Sequence, residues 1–142
     1  MDLLAATPTL DTAVFKFLDL GTGQPILTTK KKEMFVEIYA EGTKERQEAT
    51  RQYSARNAKM FADKEIKVAA DIPETGELKD FVDEFIKSNN HQLLEAITES
   101  CLVQIDGKES TSKKLFYATA DFKIWFTKID VFAAQHVNFI KA

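Results

Sequence analysis

The residues of this sequence that could carry chemistry are few, and their spacing speaks against most of the chemistry they could do. Two histidines, His91 and His136, stand far apart in the chain, and neither is at metal-ligand spacing to the single cysteine, Cys101. Zinc sites draw on ligands at short, repeated intervals, so no metal and no cofactor are expected. His91 reads as a first-turn helix residue behind Asn90. His136 reads as a residue near a helix C-terminus, where the dipole favours a cationic imidazole. Cys101 with either histidine would make a nucleophile pair and hence a small enzyme. Nothing nearby in the sequence activates the thiol, however, and a lone cysteine among apolar residues packs as a small hydrophobe.

Gly21-Thr22-Gly23-Gln24-Pro25 places glycines after a strand, but it lacks the later glycine and Lys-Ser/Thr of a phosphate loop, and no helix opens behind it. It reads as a turn. Asp80, Asp83 and Glu84 lie on the polar side of a helix opposite Phe81 and Phe85, which makes them a solvated face rather than an acid/base pair. Lys30, Lys31 and Lys32 sit in a connector without interleaved aromatic residues, so they solvate a loop and do not read as a nucleic-acid contact. The sequence therefore predicts a protein that binds other proteins rather than an enzyme.

The elements that position these residues follow from periodicity. Val14 to Asp19 alternates with a period of two, and Phe35 to Ala40 repeats β-branched and aromatic residues, so the two runs predict a β-hairpin with a long connection. Gly42-Thr43 supplies a turn and an N-cap hydroxyl, and a helix follows from Lys44 to about Ala62. Leu78, Phe81, Val82, Phe85 and Ile86 have helical spacing over Glu77 to Lys87. Asn89 or Asn90 then caps a further helix, with Leu93, Leu94, Ile97, Cys101 and Leu102 on its buried side, ending before Asp106-Gly107. Ser110-Thr111-Ser112 caps a short helix over Leu115, Phe116 and Tyr117. Asp121 opens the last helix, whose apolar face is Phe122, Trp125, Phe126, Ile129, Phe132 and Ala133. The expected fold is α+β: a single, mainly α-helical domain over residues 1–142, with a short N-terminal β-hairpin in 1–42 and a helical region in 43–142. Phe81, Phe85, Ile97, Phe116, Trp125 and Phe132 are expected to share one core.

Bulk composition bounds the function further. A 44% apolar content suits a folded chain, and 19 basic against 22 acidic side chains leave a net charge of −3, which offers neither nucleic acid nor an anionic membrane a matching surface. The N-terminus has no basic and apolar leader, and no apolar run is long enough for a membrane span, so a cytoplasmic location is expected. Eleven phenylalanines are more apolar area than a domain this small hides with ease. On the last helix Ile124 and Val131 fall two turns apart on the side opposite the apolar face. With Phe139 and Ile140 beyond the helix end, they are the candidate partner-binding residues, facing a helical client or a second copy of the chain in a homo-oligomer.

The order of elements resembles the tail assembly chaperones of long-tailed bacteriophages. The N-terminal likeness lies in Phe15-Lys-Phe-Leu-Asp-Leu-Gly-Thr-Gly-Gln-Pro25, in Val36-Glu-Ile-Tyr-Ala-Glu-Gly42, and in the polar helix from Thr43. The C-terminal likeness lies in Asp106-Gly107, Ser110 to Tyr117, Trp125, Gln135 and Asn138-Phe139. Members often carry a tryptophan near the position of Cys101 or Leu102 and a Ser-Asp start to the polar helix, and this chain has neither. The resemblance implies binding of the tape measure protein, and of the tail tube protein through a longer frameshifted product. It also implies action in the host cell cytoplasm and absence from the mature virion. The rival of nearest kind is a structural head-tail joining or tail-completion protein.

Overall fold

The computed structural model describes residues 9–140 of the chain; the leader around Pro8 lies outside them. Strand β1 (Thr12–Lys16) pairs antiparallel with β2 (Phe35–Tyr39), Phe15 opposite Val36 and Ala13 opposite Ile38. The two runs thus form the expected pair. Their long connection is ordered by its own polar groups. The Asp19 carboxylate accepts from the backbone N–H of Gly21 (2.8 Å) and Thr22 (2.9 Å), and Gly23 takes a positive φ of 71° to close the turn. Further along, the Thr28 hydroxyl donates to Glu109, and Lys32 lies 3.7 Å from the same carboxylate.

The sheet does not end with this hairpin. Strand β3 (Thr98–Ile105) pairs antiparallel with β2, and β4 (Lys108–Ser110) pairs with β3, giving one four-stranded sheet in the order β1-β2-β3-β4. The expectation of a short N-terminal hairpin followed only by helices is therefore wrong: half of the sheet lies in the 43–142 region. Cys101 and Leu102 are strand residues, not the last turn of a helix. The physical cause is Asp106-Gly107, whose φ values of 51° and 78° are those of the two-residue turn whose twist matches paired strands.

A register shift between Glu37 and Ile38 leaves Glu99 as an extra residue on β3, so that Ser100 faces Glu37 while Thr98 faces Ile38. One side of the sheet consequently carries Ala13, Phe15, Val36, Ile38, Thr98, Cys101 and Val103, and this side is packed. Helices α3 (Lys113–Ala118) and α4 (Lys123–Ala134) bring Phe116, Phe126 and Ile129 onto it. Ser112 caps α3 by accepting from the N–H of Leu115, and a single 3-10 turn over Ala120–Phe122 precedes α4, which starts two residues after the expected Asp121. The other side of the sheet carries Val14, Phe35, Glu37, Tyr39, Ser100 and Leu102, none of which joins the core.

Helix α1 (Lys44–Asp63) begins where the sequence places it, with the Thr43 hydroxyl accepting from the N–H of Arg46. Helix α2 (Glu77–Ala96) runs antiparallel to α1 and is one continuous element of 20 residues. Asn89 does not cap a second helix. Its side chain is buried between the two helices, accepting from Arg56 Nε (2.8 Å) and donating to Asn57 Oδ1 (2.7 Å) and to the Tyr53 carbonyl (3.4 Å). With no free backbone N–H to satisfy, Asn89 bonds across the interface, and the helix passes through it.

Two cores result. Ala49, Leu93 and Leu94 join the sheet core, whereas Met60, Ile66 and Val82 form a smaller cluster towards the opposite end of the α1–α2 pair, with Phe61, Ile72, Leu78 and Phe85 partly buried around it. The expectation that Phe81 and Phe85 share a core with Phe116 fails. Phe81 is 44% exposed, with Lys64 Nζ 4.3 Å above its ring, and stacks on Phe85. The apolar face of α2 is wider than the thin stripe of α1 that it meets, so part of it stays in solvent. Ile97, Phe116, Trp125 and Phe132 do belong to the sheet core.

Candidate partner-binding surface

The sequence singles out α4, and its inner and outer faces divide sharply. Phe126, Ile129 and Ala133 are buried, and Trp125 packs edge-on to Phe17 with ring centroids 5.0 Å apart. On the outer face Ile124 is 62% exposed and Val131 52% exposed, and beyond the helix end Val137 is exposed as well. Isolated apolar side chains on a surface are ordinary. Two β-branched residues two turns apart on one outward line, followed by a third, are a candidate contact surface.

Of the other two candidate residues, only Ile140 keeps any surface. Phe139 is 3% exposed, packed on Phe132 (6.1 Å between centroids) within a 3-10 turn, His136–Phe139, with the Arg46 guanidinium over its ring. It is a core residue and not available to a partner. Arg46 also donates to the carbonyls of Tyr39 (3.0 Å) and Ala133 (2.8 Å), so one side chain ties the end of β2 and the C-terminus of α4 to the start of α1. A cation at a helix C-terminus is favoured by the dipole. Ile140 is at the margin of exposure and bridges Thr9.

His91, Asp19, Asp83 and Cys101 are each engaged within the fold, whereas His136 is exposed at the start of the 3-10 turn that follows α4. Among the described residues no group of three or more His, Cys, Asp or Glu could hold a metal ion. His91 lies in the C-terminal half of α2 rather than in a first turn. Its ring is edge-on to Phe126 at 4.9 Å, and burial, then Lys87 and Lys123, lower its pKa. The amides of the Gly21-Thr22-Gly23 turn that could cradle an anion are occupied by Asp19, whose own pKa they lower. Asp83 pairs with Lys79 on the solvated face of α2.

Cys101 is buried on the packed side of the sheet, and burial pushes its thiol up to about 11 despite the opposing influence of Lys113. Its thiolate is scarce at neutral pH. Iodoacetamide at pH 8 is expected to alkylate the folded chain at least about a hundredfold more slowly than the chain in urea, read by intact mass. Equal rates would mean an accessible, activated cysteine.

Two depressions flank the smaller core. A groove of about 1110 Å³ is lined by Phe61, Ile66, Val68 and Ile72 with Lys67 and Asp71 at its edge, and a cleft of about 310 Å³ lies between Met60, Phe81, Phe85 and the basic Arg56, Lys59 and Lys64. Neither is legible in the sequence: the groove is made by the turn from α1 into the 3-10 segment Ala69–Asp71, a stretch with no periodicity, and the cleft exists only where the end of α1 meets the start of α2. No described helix is long and apolar enough to cross a membrane. No family model, no curated protein and no solved structure matches this chain.

Proposed function

We propose that the chain is a tail assembly chaperone of a long-tailed phage, which binds the tape measure protein and keeps its apolar helical surface dispersed until tube subunits polymerise around it. The observation that carries this reading is the outward exposure of Ile124 and Val131 on a helix whose other face is fully used by the core. A client that is a long amphipathic helix would lay its own apolar stripe along such a line, with anchors at helical spacing on both sides. The order of elements that resembles the chaperone family supports the same reading, with one departure: the segment before Asp106-Gly107 is a strand. A chaperone in this role acts in the host cell cytoplasm, engages the tail tube protein through its longer product, and leaves before the virion is complete.

The test is a double substitution. Ile124→Ser with Val131→Ser is expected to change unfolding free energy by less than about 0.5 kcal/mol, because both side chains stand in solvent. Co-expressed with the tape measure reading frame of the same genome, the double variant should leave that protein in the pellet where the wild type keeps it in solution. Unchanged solubilisation would remove α4 as the client surface. Detection of the chain in purified virions would favour a head-tail joining or tail-completion protein. Burial and the raised pKa of Cys101 weigh against the enzyme reading.

A further inference from the structure

The side of the sheet that faces away from α3 and α4 is covered by no helix among the described residues. Over β1, β2 and the first half of β3 it presents Val14, Phe35, Tyr39 and Leu102, with Phe35 directly opposite Leu102. Val14 is exposed and the other three are half-buried, although none touches the core. At its centre is Glu37, opposite Val14 on one side and Ser100 on the other. Its carboxylate accepts from the Thr12 hydroxyl at 2.5 Å and from Ser100 at 2.9 Å, one oxygen each, and makes no ion pair among the described residues. Two hydroxyls from the flanking strands thus fix a carboxylate in the middle of an apolar patch, and its charge is left unmatched.

The surroundings keep the same sign. Burial, then the negative charges of Glu99, the extra residue of β3, of Glu45 at the start of α1 and of Glu37, raise the phenol pKa of Tyr39. Lys16, at the edge of the face, is already 3.5 Å from Glu33. We propose that this open face is a docking surface for a helical segment of another protein that carries one arginine or lysine among apolar side chains.

Size and charge choose the occupant. Three strands about 4.8 Å apart give a strip about 10 Å across, the diameter of a single helix packed on a sheet. A second copy docking by the same face would be isologous, setting Glu37 of each copy near Glu37 of the other with Glu99 and Glu45 alongside, and like charges in a drying interface are repelled. A basic side chain reverses that sign. Held by a preset carboxylate it forms a charge-assisted hydrogen bond, and guanidinium meets both oxygens best. This surface lies on the other side of the sheet from Ile124 and Val131 and stands independently of the role given to α4.

A synthetic helical peptide tests it, with leucine and alanine on one face and a single central arginine, compared with the same peptide bearing glutamine there. Titrated into the isotope-labelled full chain, the arginine peptide should shift the amides of β1, β2 and β3 and bind about tenfold more tightly than the glutamine peptide. With Glu37→Gln the two peptides should bind within about twofold of each other, whereas Leu102→Ser, which leaves the carboxylate in place, should weaken both alike. Melting curves establish that both variants are folded. Arginine preference that persists in Glu37→Gln, or shifts confined to α4 or to the groove beside Phe61, would overturn the proposal. So would dimerisation of the free chain, by sedimentation, with amide shifts on this same face, which would give the surface to a second copy.

Discussion

Phe116→Ala is expected to cost the fold about 3–5 kcal/mol, the largest effect of any single truncation considered. Phe116 is fully buried and meets four aromatic rings at once: Tyr117 at 4.7 Å, Phe122 at 4.9 Å, Phe126 at 5.4 Å and Phe17 at 5.9 Å between centroids, the last edge-on. These rings come from β1's extension, α3, the 3-10 turn and α4. Removing the central one leaves a void that none of the others can fill without losing its own contacts. Urea titration measures the change, with the slope expected to stay constant. Phe81→Ala in the same assay should cost less than about 1 kcal/mol, since nearly half of its surface is already in solvent. Equal losses at the two positions would contradict the two-core arrangement.

Asn89→Ala is expected to destabilise by about 1–3 kcal/mol, with a cause of a different kind. The side chain satisfies Arg56, Asn57 and the Tyr53 carbonyl while almost wholly excluded from water. Truncation leaves a partly buried donor on Arg56 and a partly buried acceptor on Asn57 facing a gap, and it removes the polar contact that prefers a single alignment of α1 against α2. Asn89→Leu refills the volume, so any remaining loss beside Asn89→Ala measures the hydrogen bonds apart from the cavity. Thermal unfolding of the three proteins together makes the comparison, and a loss below about 0.5 kcal/mol in the alanine variant would show that water replaces the amide.

The contrast between β3 and α2 explains how much of this fold the sequence discloses. Helix α1, the strand pair β1–β2, the cap at Ser112 and the inner face of α4 are legible because each combines one unbroken period with a chemical start signal. In β3 the signals conflict. Leu93, Leu94, Ile97 and Cys101 continue a helical spacing from α2 straight into Thr98-Glu-Ser-Cys-Leu-Val-Gln-Ile105, and the extra residue Glu99 disturbs the strand alternation where it should begin. The deciding feature was Asp106-Gly107 flanked by β-compatible residues, which reads as a hairpin turn more strongly than the preceding residues read as a helix. In α2 the conflict ran the other way. Asn89-Asn90 is a good cap in isolation, and only the neighbouring helix, with Arg56 and Asn57 waiting at the right height, turns the first asparagine inward. The surface stripe of α4 was legible from projection alone. The open sheet face was not, because it exists only once β3 is known to lie beside β2.

The layer at Asn89 also bears on how the molecule breathes. On one side of it the helical pair is anchored to the sheet by Ala49, Leu93 and Leu94; on the other it is held by the smaller cluster of Met60, Ile66 and Val82 with the partly buried Phe61, Ile72, Leu78 and Phe85. A structure built this way has two cooperative units of unequal strength. The outer unit, from about Ala58 through the 3-10 segment to Phe85, can open while the sheet remains folded, so its amide protons exchange with solvent through a cheaper, sub-global route than those of β2 and β3. Proteolytic nicking would start there, between Lys64 and Lys79, and leave two fragments, one carrying β1 and β2 and the other β3 and β4, held together by the β2–β3 pairing. Any ligand that seats in the groove beside Phe61 would then slow exchange over the whole outer unit at once, although it touches only a few of its residues.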